Sequence, residues 1–419
     1  MIKIAKRIMM AALCIGFAST LLLGYGHSII DNQSFDDDNM LLEEAATTPE
    51  IVIPSYYSLI DEGFETPVKS QFSGTCWAVA ATYSMESSYK KQYGLDIVID
   101  PISIVDSVYI DGAEEGFILD IRNDKYDYGG ESDQVIAAIS KGDGEYYLTE
   151  AEWIDSGDRD ALKRNIMTVG SICVDINDAW NSRYGVINGY KTLHNPVPDY
   201  DHAVVLVGWD DNFSKENFRL QPSGDGAWLA KNTRGDKWGN EGYFWISYET
   251  PFDACTTFQV SKEYNDVLYY DMGHYNTLEC EGAITLANVF HSPGMLKRVG
   301  TYTDIPNQKL IIDIYTEDFA DKIYSQEISF ENSGYHTIEL DEELSVDDYA
   351  IAITYYGDAP VEGLTWVDEV YGISFIASSN PGESFVLIDD EWIDMTDPVI
   401  LSKLGIDYEP NNCCIKAIY

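Results

Sequence analysis

Residues 71–82 read QFSGTCWAVAAT, in which one cysteine separates a turn sequence from a run of small, mostly apolar residues. Gly74 and Thr75 permit a tight turn, and residues 77–92 carry apolar side chains at helical spacing, with lysines near their end. We therefore predict a helix that begins directly after the turn, with Cys76 at its N-terminus. The positive end of the helix dipole and the free backbone N–H groups there favour the thiolate, which is the reactive form of cysteine.

Two later segments contain the partners that a cysteine nucleophile needs. Such a thiolate works with an imidazole base and with a third group that orients the imidazole. His202 lies at the start of a predicted strand in DYDHAVVLVGWDD, and Asn232 lies at the end of another in WLAKNTRGDKWGNEGYFWISY. A lone cysteine, histidine or asparagine is usually structural. The three together, at positions that neighbouring strands can bring to one sheet edge, predict a catalytic site.

Three segments resemble the active-site blocks of the papain family of cysteine peptidases, in the family's order: GTCWA, DHAVVLVGW and KNTRGDKWGNEGYF. PVKSQ, YGGESDQVIAAI and IMTVGSICVDI also look like segments of this family, so the resemblance spans residues 51–262. It implies that Cys76 is the nucleophile, that His202 is the general base and then the general acid, and that Asn232 orients the imidazole. It also implies that Gln71 forms an oxyanion hole with the backbone N–H of Cys76.

The resemblance implies a cysteine-type endopeptidase that hydrolyses peptide bonds through a thioester acyl-enzyme. The sequence departs from the family pattern at three points, and the last two of these motivate an alternative, a catalytically weak or inactive papain-fold adhesin or surface-binding protein. Ser73 replaces a disulfide cysteine, the interval from Gln71 to Cys76 is one residue short, and Arg234 replaces a tryptophan that shields the histidine–asparagine hydrogen bond. A cell-wall amidase that uses cysteine and histidine is a third hypothesis, which the WGNEGYF segment disfavours.

Residues 263–419 show a different pattern. Short segments of β-branched and aromatic residues recur between turn residues without a helix pattern, which predicts an antiparallel β-sandwich. GYHTIELDEELSV, ISFIASSNPGESFVLIDDEWIDM and the closing CCIKAIY resemble the lectin-like domain that follows the peptidase in secreted proteins of Gram-positive gut bacteria. Exposed aromatic residues such as Trp366 and Trp392 could stack on sugars, although ordinary packing is the favoured interpretation.

The predicted fold class is α+β, with a papain-like two-lobed domain (a helical lobe plus an antiparallel β lobe) at residues 51–262 and an all-β sandwich at residues 263–419. Residues 1–27 have the positive start and apolar run of a signal peptide, and residues 28–50 are an acidic linker. We therefore expect a protein that is secreted or held at the cell surface. An uncleaved membrane anchor is the alternative, because the apolar run approaches the length of a helical span.

The balance of charged residues limits the classes of molecule that the protein is expected to bind. The 419 residues contain 26 Lys and Arg against 71 Asp and Glu, a formal net charge of −45. This balance argues against a nucleic-acid partner, because phosphate binding needs a basic surface. The charge is that expected of a soluble monomer that resists association. The expected partners are protein or peptide substrates, with a cell-surface or glycan ligand for the second domain.

The sequence predicts no metal site and no cofactor. It contains neither a CxxC pair nor an HExxH motif. Asp124 and Asp127, in RNDKYDYGG, lack the spacing of an EF-hand, so we interpret this segment as a solvated loop. The cysteines are too sparse for a disulfide scaffold. Cys255 and Cys280 could pair, which the sequence does not decide.

Overall fold

The computed structural model describes residues 51–142, 144–178, 183–262, 266–406 and 411–419. The segments interpreted as a signal peptide and an acidic linker, residues 1–27 and 28–50, lie outside the described residues. Within these ranges, no helix is both long enough and apolar enough to cross a membrane. The described chain consists of a first part with most of the helices and a second part made almost entirely of strands.

The first part contains these described helices: α1 (Cys76–Tyr93), α2 (Pro101–Val108), α3 (Lys125–Tyr128), α4 (Ser132–Ile139) and α5 (Arg159–Thr168). The helix predicted to begin at Cys76 is present. The segments DQVIAAISK and RDALKRNIMTV also predict short helices near residues 133 and 159, and both are present as α4 and α5. Two short helices, α2 and α3, were not predicted from the sequence. The segment interpreted as a solvated loop contains α3, because the Asp124 side chain accepts a hydrogen bond from the backbone N–H of Tyr126 and so caps this helix.

Helix α1 runs through the centre of the first part. Every side chain from Trp77 to Tyr89 is buried, because the many alanines and serines let neighbouring strands and helices pack on all sides. The helix ends at Gly94, whose backbone has a φ of 68° and whose N–H donates to the carbonyl of Lys90. This buried helix gives Cys76, its first residue, a rigid support.

The strands of the first part are β1 (Tyr56–Ser58), β2 (Gly116–Leu119), β3 (Tyr147–Trp153), β4 (Ile172–Ile176), β5 (Tyr184–Ile187), β6 (Tyr190–Leu193), β7 (His202–Asp210), β8 (Ala227–Lys231), β9 (Tyr243–Ser247) and β10 (Asp253–Ser261). Strand β7 pairs antiparallel with β4 and β8, and β8 pairs antiparallel with β9. All of β7 except Asp210 is buried, which explains its unbroken run of apolar residues. His202 opens β7, and Asn232 directly follows its neighbour β8.

The second part consists of β11 (Val267–Leu268), β12 (His274–Leu278), β13 (Ala283–Thr303), β14 (Gln308–Thr316), β15 (Lys322–Phe330), β16 (Ser333–Tyr356), β17 (Ala359–Glu362), β18 (Trp366–Asp368), β19 (Ile373–Ile376), β20 (Ser384–Ile388), β21 (Glu391–Asp394), helix α6 (Val399–Leu404) and β22 (Ile415–Ile418). The two longest strands, β13 and β16, pair antiparallel along most of their length. The expectation of no helix in this part was wrong at α6. Its apolar residues are too few to give a helical period, and Gly405, with a φ of 67°, ends it.

In the part of the chain that the structure describes, backbone pairing joins the two parts at two places. In the first, residues 333–336 of β16 pair with β3 of the first part. In the second, β19 pairs with β2, and β18 pairs with β19, so that a three-stranded sheet spans both parts. Ile373 and Phe375 of β19 belong to the apolar core of the first part. Hydrogen-bonded strands and a shared core therefore hold the two parts together.

An ion pair lies inside the second part. Lys416, in β22, donates to both carboxylate oxygens of Asp271, at 2.7 and 2.6 Å. Both side chains are almost completely inaccessible to solvent. Such a pair is stable only while both partners are present, since removal of either one leaves a buried, uncompensated charge.

The six described cysteines are free thiols, so Cys255 and Cys280 do not pair with each other. Burial raises the pKa of the Cys173, Cys255 and Cys414 thiols, and it raises that of Cys413 to about 12. These four thiols are buried and protonated at neutral pH, which makes them unreactive.

Candidate active site

A tight turn places Cys76 at the start of α1. The backbone N–H of Phe72 donates to the hydroxyl of Thr75, whose own O–H donates back to the Phe72 carbonyl at 2.8 Å. A side chain at Gly74 could not fit, because its Cβ would lie 2.6 Å from the carbonyl oxygen of Asp127. The Gly-Thr sequence before the cysteine therefore closes the turn and leaves the Cys76 thiol half-buried at the head of the helix.

His202 and Asn232 meet at the edge of the sheet. The Nε2 atom of His202 lies 3.0 Å from the Oδ1 atom of Asn232, which also accepts the backbone N–H of Thr233 at 2.7 Å. An amide oxygen can only accept, so Nε2 carries the proton and the other ring nitrogen is left to act as a base. Both side chains are buried, and Asn232 is inaccessible to solvent. An asparagine in this position can hold both the orientation and the tautomer of the imidazole.

The Cys76 thiol differs from the four buried ones. Burial raises its pKa, but the hydrogen bond with His202 and the charge of that imidazole bring the pKa below the usual value of 9.0. Burial lowers the pKa of His202, while the interaction with Cys76 and the charge of Asp178 bring it above 6.5. Each group therefore favours the charged form of the other. A thiolate–imidazolium pair of this kind can attack a carbonyl carbon and then protonate a leaving group.

The pair opens into a cleft of about 670 Å³. Besides Gln71, Cys76 and His202, its walls carry two groups of side chains that the sequence analysis did not assign to the site. The carboxylates are Asp127, Glu131, Asp175, Asp178 and Asp201, and the larger aromatic and apolar residues include Trp77, Tyr109, Phe117, Tyr128, Trp366 and Ile373. A cleft of this volume is within the range typical of ligand-binding sites.

Comparison with known families agrees with this geometry. The sequence profile described as "Papain family cysteine protease" matches residues 54–265, about half of the chain. The chain belongs to the papain family of cysteine proteases. A second profile, described as "Lectin like domain", matches residues 267–419. The resemblances drawn from the sequence are thereby confirmed for both parts of the chain.

Several curated proteins are similar to the first part. Cysteine proteinase 15A of Pisum sativum is 26% identical over 226 residues, 49% of this chain and 60% of that protein. Cathepsin K of Mus musculus is 27% identical over 230 residues, 52% of this chain and 66% of that protein. The viral cathepsin of Heliothis zea nuclear polyhedrosis virus is 26% identical over 210 residues, 46% of this chain and 53% of that protein. The chain thus spans between about half and two thirds of these relatives.

The whole architecture is similar to that of a clostridial cysteine protease, Cwp84. Its structure after propeptide cleavage matches with a TM-score of 0.73 and 22% identity, over 87% of this chain and 99% of that one. The structure of the cysteine protease and lectin-like domains of Cwp84, a surface layer associated protein of Clostridium difficile, matches with a TM-score of 0.72 and 22% identity, over 88% of this chain and 89% of that one. The predicted fold class, a papain-like fold followed by a β-rich domain, is confirmed.

Gln71, for which the resemblance to the papain family implies a place in the oxyanion hole, lines the same cleft. Its side-chain amide donates to the carbonyl of Ser73 at 2.6 Å, and its amide oxygen accepts the hydroxyl proton of Thr233. The Gln71 amide is therefore bonded at its nitrogen to the shortened turn before Cys76 and at its oxygen to Thr233. The amide nitrogen carries a second N–H that neither of these two bonds uses.

We expect Gln71→Ala to lower kcat by about 10²–10³-fold, because one donor to the developing oxyanion is removed. The measurement is steady-state cleavage of a peptide substrate, with Gln71→Glu as a variant that keeps the side-chain length but lacks the N–H donors. A rise in KM at unchanged kcat would contradict this role for Gln71.

Arg234, where the papain family has a shielding tryptophan, is held by an ion pair. Its guanidinium donates to the carboxylate of Asp178, whose side chain is only 4% exposed. The backbone N–H of Asp178 in turn donates to the carboxylate of Asp201 at 2.6 Å. The charge of Asp178 also raises the pKa of His202. An ion pair thus stands beside the imidazole in place of an aromatic ring, which sequence reasoning missed because nothing links the two residues along the chain.

Proposed function

We propose that this protein is a cysteine endopeptidase that hydrolyses peptide bonds with Cys76, His202 and Asn232. One observation supports the proposal. The pKa of the Cys76 thiol is lowered by the imidazole of His202, and this imidazole is hydrogen-bonded to Asn232. The curated relatives are longer than the matched region, so the activity is inferred for this chain from its own residues.

The chemistry follows from the roles of these groups. The Cys76 thiolate attacks the carbonyl carbon of the substrate, and the carbonyl oxygen becomes an oxyanion that accepts hydrogen bonds from the backbone N–H of Cys76 and from Gln71. The His202 imidazolium gives its proton to the amine as the C–N bond breaks, which leaves a thioester. The neutral imidazole then takes a proton from water, whose oxygen attacks the thioester carbonyl. The acid product leaves and the Cys76–His202 pair is restored.

We further propose that residues 51–262 form the catalytic domain and residues 263–419 a lectin-like domain that binds a glycan or protein at a surface. The name of the matching domain and the surface-layer association of Cwp84 support this assignment. Trp392 stacks on Phe319 with ring centroids 4.2 Å apart, so packing rather than sugar binding explains this aromatic residue. Secretion through residues 1–27, with action as a monomer outside the cell or at its surface, completes the proposal.

The test is reaction of the purified, reduced, metal-free protein with an epoxide inhibitor of thiol proteases, followed by cleavage of a peptide library. We expect one inhibitor molecule per chain, bound at Cys76, and loss of peptide cleavage upon labelling. Cys280→Ser is a matched control because this thiol is half-buried in the second part and lies outside the cleft. A protein that cleaves peptides at an unchanged rate after complete labelling of Cys76 would disprove the proposal.

A second candidate function is a papain-fold adhesin with little or no catalysis. The engagement of both ends of the Gln71 amide by Ser73 and Thr233 favours it, since an amide held in this way contributes less to an oxyanion hole. In this case the epoxide would still label Cys76, whereas no peptide in the library would be cleaved.

The pH profile of kcat/KM is expected to be bell-shaped. Activity rises with pH as the Cys76 thiol ionises, below the usual 9.0, and falls as the His202 imidazolium loses its proton, above 6.5. The hydrogen bond with Asn232 helps to raise the pKa of His202. We therefore expect Asn232→Ala to move the alkaline limb to lower pH. A variant whose alkaline limb stays in place would show that Asn232 does not set this ionisation.

A further inference from the structure

The second part of the chain supplies one wall of the catalytic cleft. Trp366, the first residue of β18, and Ile373, the first residue of β19, line the same cavity as Cys76 and His202. Neither was placed at the catalytic site by the sequence, because about 164 residues separate Trp366 from His202 along the chain.

This wall is fixed to the first part by backbone and side-chain contacts. Ile373 pairs with Leu119 of β2, and the ring of Phe375 packs on that of Phe117 with centroids 5.3 Å apart. The side-chain amide of Asn123 donates to two consecutive carbonyls of the second part, at 2.8 and 2.9 Å. Trp366 pairs with Phe375 in turn. The indole is therefore held at the cleft by an ordered sheet rather than by a free loop.

Asp175 and Glu131 are two of the five carboxylates of the first part that line the same cleft. Asp175 lies in β4 directly opposite Ala203, the residue that follows His202. Neither oxygen of its carboxylate has a hydrogen-bond or ion-pair partner within the described ranges, and the side chain is enclosed by protein except towards the cleft. Glu131 precedes α4, where its side chain accepts a backbone N–H of the first turn.

Within the described residues, no lysine or arginine is among the charged groups that face these two carboxylates, and the one positive charge is that of the His202 imidazolium, which acts on Asp175. The charged groups that face Glu131 are Asp133, Asp175 and Asp253, and those that face Asp175 are Asp253, His202 and Asp133. Arg234, the one lysine or arginine among the described residues that line the cleft, is already paired with Asp178. Burial, followed by the charge of Asp133, raises the pKa of Glu131 to about 8. Burial and the charge of Asp253 raise the pKa of Asp175 to about 7, although the charge of His202 lowers it in part.

We propose that this part of the cleft is a subsite for a lysine or arginine side chain of the substrate, with Trp366 against its aliphatic stem and Glu131 and Asp175 at its charged end. The inference rests on the proposed peptidase function and names its substrate class. A long cationic side chain fits both walls, because its methylene groups pack on aromatic and aliphatic surface while its head pairs with carboxylates. A neutral side chain would leave buried carboxylates without a partner.

The two carboxylates also make the preference for a basic over a neutral substrate residue depend on pH. Below pH 7 the free enzyme holds protons on Glu131 and Asp175, and a basic side chain must displace them to bind. Above pH 8 both groups are ionised before the substrate arrives. The preference for a basic over a neutral residue is therefore stronger at pH 8.5 than at pH 6, and it becomes constant once both carboxylates are ionised.

The test compares peptides that contain arginine with peptides that contain citrulline, which has nearly the same shape but no charge. The residue is moved through the positions on the acyl side of the cleaved bond, and kcat/KM is measured with the full chain at pH 6 and pH 8.5. We expect arginine to be preferred by about tenfold or more at one position, a difference that corresponds to one charge-assisted interaction.

Three variants test the carboxylate wall and the Trp366 wall of the subsite independently. Glu131→Gln and Asp175→Asn are expected to bring the arginine-to-citrulline ratio close to one and to remove its pH dependence. Trp366→Ala is expected to lower kcat/KM for both peptides while preserving the ratio, because the two share the stem that packs on the indole. Glu343→Gln removes the same charge at an exposed position outside the cleft and should change nothing. If these residues had only a structural role, all three variants would change the overall rate alike. The carboxylate variants would then not change the arginine-to-citrulline ratio selectively.

The outcomes distinguish this proposal from the proposed function. Equal cleavage of arginine and citrulline peptides at every position would overturn the subsite and leave the peptidase intact. If no peptide is cleaved, the peptidase proposal fails, and the subsite is then tested by binding of the same peptides to the full chain, measured by fluorescence anisotropy. Equal affinities for the arginine and citrulline peptides in this binding experiment would overturn the subsite. Because Asp175 is enclosed, Glu131→Gln serves as the test if Asp175→Asn does not fold.

Discussion

Replacement of Cys76 by alanine is expected to lower kcat for peptide hydrolysis by about 10⁴–10⁶-fold, the largest effect that we predict on activity. The nucleophile is then absent, and His202 and Gln71 have no thioester to form or to hydrolyse. The fold should be unaffected, because the residue removed is half-buried at the head of a helix whose other side chains carry the packing. The measurement is single-turnover cleavage of the best library peptide, with binding of the same peptide as a check on the fold.

Two comparisons make this result specific. Cys280→Ala removes a thiol outside the cleft and should retain the wild-type rate. His202→Ala should lose nearly as much activity as Cys76→Ala, and the double variant should lose little more, since residues that act as one unit are not additive. Cleavage by Cys76→Ala at a rate near that of the wild type would mean that another group is the nucleophile.

Lys416→Met is expected to lower the free energy of unfolding by about 3–5 kcal/mol, the largest effect that we predict on stability. The substitution leaves the Asp271 carboxylate buried without the ammonium group that donates to both of its oxygens. Chemical denaturation of the full chain, followed by tryptophan fluorescence, measures the loss.

The matched control is Lys309→Met, which removes one end of an exposed ion pair with Glu327 and should leave the denaturation midpoint unchanged. A double variant, Lys416→Met with Asp271→Leu, should recover much of the lost stability, because it removes the uncompensated charge. If Lys416→Met and Lys309→Met denature at the same midpoint, the buried pair contributes no more than the exposed one.

The sequence was sufficient for the elements whose residues carry a clear pattern. The apolar run of β7 and the small residues of α1 led to the correct elements, because each is buried along its length and so shows its period. Helices α2 and α3 were missed because they are short and depend on a single capping aspartate each. Helix α6 was missed for a similar reason, since it has only six residues.

The other residues that line the cleft were harder to predict from the sequence than Cys76, His202 and Asn232, the residues proposed to be catalytic. Asp175 lies in a strand that reads as buried and apolar, and nothing in its neighbours along the chain indicates that it faces a cavity. The partner of Arg234 is Asp178, and the cleft that Glu131 lines is also lined by Trp366 of the second part. These contacts join distant segments, so only the folded arrangement of strands reveals them.

The sheet formed by β2, β19 and β18 has a consequence for how the two parts can be separated. A chain cut after residue 262 would leave β2 and β3 with unpaired backbone groups and would expose the ring of Phe117, which now packs on Phe375. Open strand edges beside apolar surface pair readily with other molecules. A peptidase fragment of this kind would therefore self-associate, so an exchange of domains with other proteases would require compensating changes at these two edges.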